Sequence, residues 1–133
     1  MGNEIPAVTK LYDIILWLVP QVEKFPRDYK FTLGDRIINN LLDSLETLLE
    51  AAYSREKQPL LKRLNLQLEK LRYLIRLSKD LKALSFKKYA YISQEIDLLG
   101  RMTGGWLKAK SGLCYSSTFL SFRLVRNLSD ILI

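Results

Sequence analysis

The chain has 133 residues, 48% hydrophobic and 26% charged, with 21 Lys and Arg against 14 Asp and Glu, a net charge of +7. That length and mixture suit one folded domain with a real core, not a disordered chain. Histidine is absent, which excludes Ser-His-Asp and Cys-His catalysis and any histidine-ligated metal site.

Cys114 is the only cysteine. An internal disulfide is therefore impossible, and a reducing, cytoplasmic setting is the expectation. The N-terminus lacks the charged-then-apolar pattern of a signal peptide. No clean apolar run of about 20 residues marks a membrane span.

A first helix is predicted from about Pro6 to Phe25. Pro6 suits a first-turn position. Val8, Leu11, Ile15, Leu18, Val22 and Phe25 repeat at helical spacing. Pro20 should bend this helix or divide it. Tyr12, Leu16 and Trp17 fall off the main stripe, so the helix is expected to be covered on a second side by another subunit.

Pro26 disfavours helical geometry at Phe25, and residues 27–32 read as a connection. Thr32 is a candidate cap for the second helix, with Asp35 in a capping-box-like position. Leu33, Ile37, Leu41, Leu45, Leu48 and Ala52 form its apolar stripe, widened by Ile38, Leu42 and Leu49. Asp43, Glu46 and Glu50 share another side. They read as a solvated acidic stripe rather than a metal site, since bundle di-iron centres need Glu-x-x-His.

Pro59 is predicted to open the third helix, which carries the charge. Residues 60–88 hold nine Lys and Arg against Glu69 and Asp80, so this stretch alone accounts for +7. Leu60, Leu64, Leu68, Leu71, Ile75 and Leu81 cluster on one side of a helical wheel, opposite Lys62, Arg72 and Arg76. Leu66, Tyr73 and Leu77 form a narrower apolar stripe among the cations. Such a stripe fits an oligomer interface or a base-stacking surface. Arg72 and Arg76 are a like-charge i,i+4 pair that a polyanion would relieve.

Ser85 is a candidate cap for a fourth helix with core positions Tyr89, Ile92, Ile96, Leu99 and Trp106. Gly100, Gly104 and Gly105 suggest close backbone approach or a helix end, and Gly112 a stop. The predicted fold is all-α: an antiparallel four-helix bundle, up-down-up-down, over residues 1–110. Residues 111–133 change character. They read as a tail that packs on the bundle or is partly disordered, with an interfacial helix as the sharper alternative. Arg123 and Arg126 argue against a span there, and Cys114 has no base beside it.

Three segments resemble a known family. They are Trp17-Leu-Val-Pro-Gln-Val-Glu-Lys-Phe-Pro-Arg-Asp-Tyr-Lys-Phe-Thr-Leu-Gly-Asp-Arg-Ile37, the run Leu68 to Leu77, and Glu95 to Trp106. The family comprises small four-helix-bundle proteins encoded in intervening sequences of bacterial ribosomal RNA genes, and the accessory variability determinant (Avd) of diversity-generating retroelements. The resemblance implies a non-enzymatic accessory protein without cofactor or metal. It implies a homopentameric barrel that binds a reverse transcriptase and its template RNA. The residues do not decide between the two branches, and docking to an acidic protein stays a further alternative.

On that reading Arg72 and Arg76 take the family's basic third-helix positions, and Arg27 the arginine after the first-helix proline. Lys62, Arg63, Lys70, Lys79 and Lys30 complete the expected nucleic-acid surface. Leu16, Trp17, Leu66, Tyr73 and Leu77 are the expected subunit contacts.

Overall fold

The computed structural model describes residues 5–111, with side chains to 106. The predicted tail therefore lies outside the described residues. Four long helices make up most of the described residues: α1 Pro6–Glu23, α2 Asp35–Tyr53, α3 Lys57–Asp80 and α4 Phe86–Ser111. Helix α1 packs on α2 and α4, and α3 packs on the same two helices. This is an all-α four-helix bundle, with no strand among the described residues. None of the described helices is long and apolar enough to cross a membrane.

The core is a leucine and isoleucine layer contributed by every helix. Leu11, Ile14 and Leu18 come from α1, Ile37, Leu41 and Leu48 from α2, Leu64, Leu68, Leu71 and Ile75 from α3, and Ile92, Ile96 and Leu99 from α4. Each such fully buried side chain contributes about 1.5–3 kcal/mol. The buried stripes rotate slightly from those expected. Ala7 and Ile14 replace Val8 and Ile15 on α1, and Leu61 replaces Leu60 on α3, while Leu81 is exposed.

Hydroxyls also enter the core. Ser44, Thr47, Ser78 and Thr103 are buried. Thr47 Oγ1 donates to Asp43 O at 2.9 Å, Ser78 Oγ to Leu74 O at 2.8 Å and Thr103 Oγ1 to Leu99 O at 3.2 Å. Bonding back to its own helix lets each hydroxyl sit in an apolar layer without an unmet partner.

The connections are tighter than expected. Helix α1 runs unbroken through Pro20 and ends one turn later. Residues 27–32 are not an open connection: Arg27–Tyr29 is a helical turn that passes through a π-helical segment, Lys30–Gly34, into α2. Thr32 does not cap α2; its hydroxyl lies 3.5 Å from Asp28 O. Pro59 sits third in α3 rather than at its start, still within the turn whose N–H groups lack helical partners. Helix α4 continues through Gly100, Gly104 and Gly105, and nothing lies within 4 Å of a Cβ placed on Gly105.

Two devices fix the helix ends. Lys57 Nζ donates to Ala51 O at 2.7 Å, Ala52 O at 3.2 Å and Ser54 O at 3.0 Å, closing the C-terminus of α2 with a positive charge. After α3, Lys82 takes φ 64°. Lys82 N donates to Lys79 O at 2.9 Å and Ala83 N to Ser78 O at 2.8 Å, the bond pair of a Schellman turn.

Gly34 brings the segment before α2 close against the Val22 side chain of α1. A Cβ there would meet Val22 Cγ1 at 2.8 Å. Val22 is β-branched and buried, so it has little room to yield. Gly34→Ala is expected to lower stability by about 1–3 kcal/mol, read as a shift in the urea midpoint at unchanged slope.

Candidate nucleic-acid interface

Helix α3 divides its charge between two surroundings. Its leucine face points into the bundle, so the cations fall on the two flanks and the outer side. On the flank toward α4, Arg72 is drawn inward. Its Nη1 donates to Glu69 Oε1 at 2.6 Å and its Nε to Asp97 Oδ1 at 3.2 Å, with the side chain 9% exposed. Arg72 therefore joins α3 to α4, and its charge is matched by two carboxylates.

Lys79 is held in a similar way. Its Nζ lies 4.4 Å from the centroid of the Tyr89 ring and 3.4 Å from Asp80 Oδ1, a cation–π contact across the α3–α4 turn. Lys30 pairs with Glu23 at 3.1 Å and lies over the Phe31 ring. Arg76 is half-buried. Lys62, Arg63, Lys70 and Arg27 are exposed, as are Lys82 and Lys87 around the α3–α4 turn. Of the expected polyanion contacts, Lys62, Arg63, Lys70 and Arg27 lie exposed, while Arg72 and Lys79 are held against the bundle.

The apolar stripe of α3 is where the sequence placed it. Leu66, Tyr73 and Leu77 are exposed, and they line a groove between α2 and α3 with Phe31, Asn40 and Gln67. Asn40 Nδ2 donates to Gln67 O at 3.0 Å and joins the two helices along the floor. On the opposite side of the bundle Leu16 is exposed. Trp17, expected as a subunit contact, is half-buried and packs against Tyr91 of α4, with ring centroids 4.9 Å apart and the planes tilted by 50°. Next to it Lys10 pairs with Glu95 at 2.7 Å, so α1 is tied to α4 by a ring contact and an ion pair.

The acidic side of α2 holds no metal-like constellation. Asp43, Glu46 and Glu50 are exposed, and no group of three or more potential ligands among the described residues could hold a metal ion.

The role of Arg72 is the feature that sequence reasoning missed. The only local sign was Glu69, three residues before it; Asp97 lies on another helix.

A family model described as bAvd-like matches residues 7–110, a span that takes in nearly all of the four helices. No curated protein matches the chain.

Arg72→Ala would leave Asp97 in a half-buried position without its cation. The variant is expected to lose about 3 kcal/mol of stability in urea denaturation, whereas Lys87→Ala, at an exposed position, should change it by less than about 0.5 kcal/mol.

Proposed function

The chain belongs to the bAvd-like family, and from that membership we propose that it is a non-enzymatic accessory protein of a diversity-generating retroelement. In this reading it binds the retroelement's reverse transcriptase and template RNA in the cytoplasm and supports mutagenic copying. It acts as a homopentameric barrel of up-down-up-down bundles. The short connections at residues 54–56 and 81–85 favour that antiparallel arrangement.

One observation carries the RNA-binding part: much of the positive charge of residues 60–88 lies on the outer surface of the bundle. Lys62, Arg63, Lys82 and Lys87 face outward on α3 and the turn that follows it. Lysine point charges and an arginine fork suit phosphates, and their outward display suits a backbone read without base contacts. The family's ribosomal RNA intervening-sequence branch would use the same surface. Loss of retroelement copying when the gene is deleted from its host would separate the two branches.

The RNA surface is tested by Lys62→Ala combined with Lys82→Ala and Lys87→Ala. Removing three phosphate contacts should flatten the slope of log K against log salt by about 2–3, measured by fluorescence anisotropy with a structured RNA. An unchanged slope would remove these residues from the RNA contact.

A further inference from the structure

Two of the helices carry the same outward pattern with opposite charge. On α2 it is Leu42, Glu46, Leu49 and Tyr53; on α3 it is Leu66, Lys70, Tyr73 and Leu77. The spacings are identical, four, three and four residues. On a helical wheel each set falls within about 60°, and at 1.5 Å per residue each covers about 16 Å. The six apolar members are all exposed: Leu42 44%, Leu49 38%, Tyr53 86%, Leu66 56%, Tyr73 58% and Leu77 46%.

The charges at the centre of the two stripes are also unspent. Glu46 and Lys70 are exposed and make no ion pair among the described residues. Elsewhere the bundle does pair its charges: Lys10, Lys30 and Arg72 each meet a carboxylate. Arg63 extends the positive side of the α3 stripe and Glu50 the negative side of the α2 stripe.

We infer that the α2 stripe of one copy docks on the α3 stripe of a second copy, with Glu46 facing Lys70. The match is of shape, length and sign together. Leucines and tyrosines bury each other, and a carboxylate meets an ammonium at the centre of the contact, where charge fixes register and rejects wrong pairings. Each copy presents one stripe of each sign. The contact is therefore heterologous, and it repeats from copy to copy until the ring closes. This inference rests on the oligomer reading above and adds to it the two surfaces that meet. It assigns Lys70 to the neighbouring copy and leaves Lys62, Lys82 and Lys87 to the polyanion.

The test is charge reversal and its repair, by sedimentation equilibrium of the full chain without RNA. Glu46→Lys alone and Lys70→Glu alone should each weaken self-association at least tenfold, with helicity unchanged by circular dichroism. The double variant Glu46→Lys/Lys70→Glu should recover association to within about threefold of the parent. Two single variants that assemble like the parent would overturn the pairing while leaving the oligomer on some other face. A double variant no better than the singles would overturn it as well. A parent chain that stays monomeric at all concentrations would end the oligomer reading and this contact with it.

Discussion

Burial of one leucine face on α3 constrains everything else about that helix. Leu61, Leu64, Leu68, Leu71 and Ile75 are almost completely removed from water. Taking them inward leaves no choice about where the other side chains go. The cations are pushed to the flanks and outer side, and the flank decides what each can do. Arg72 falls beside α4, meets Asp97 and becomes part of the scaffold. Lys62 and Arg63 fall on the outer side and keep their charge exposed. A single helix thus serves as core, interhelix clamp and outward basic surface, and the angle around its axis sets which.

The closing elements obey the same demand for contact. Gly34 lets the segment before α2 approach Val22 to a distance that no Cβ would tolerate. This gives a physical reason for glycine in the Leu33-Gly34-Asp35-Arg36 run that marks the family resemblance. Lys57, just ahead of the basic stretch, places its ammonium on the carbonyls that end α2 and works as a helix cap. Lys82 accepts a left-handed backbone to turn the chain into α4, and its side chain remains outward.

Much of this could be read from spacing alone. Leu64, Leu68, Leu71 and Ile75 are spaced as a buried face and are buried; Leu66, Tyr73 and Leu77 are spaced as a second stripe and are exposed. What failed did so for definite reasons. Leu60 and Leu61 are chemically the same, so periodicity could not choose between them. Ser44, Thr47 and Ser78 are polar yet buried, because each bonds within its own helix, so apolar spacing alone did not mark them as core. The turn at Arg27–Tyr29 was obscured by Pro26, which ends one helix and also opens the next turn. Arg72 looked like a free cation because its second carboxylate is 25 residues away on α4. Local pattern predicts faces well, and it cannot see pairings that only the packed bundle creates.

The fold holds some cations of residues 57–88, Lys57 and Lys79 among them, against the bundle and leaves others, Lys82 and Lys87 among them, on its surface. Lysine acetylation followed residue by residue by mass spectrometry, with and without a structured RNA, tests this division most directly. Lys57 and Lys79 should react slowly in both conditions. Lys82 and Lys87 should react quickly in the free protein and be protected by RNA. Rapid reaction at Lys57 and Lys79, or no RNA protection at Lys82 and Lys87, would contradict that division of the charge.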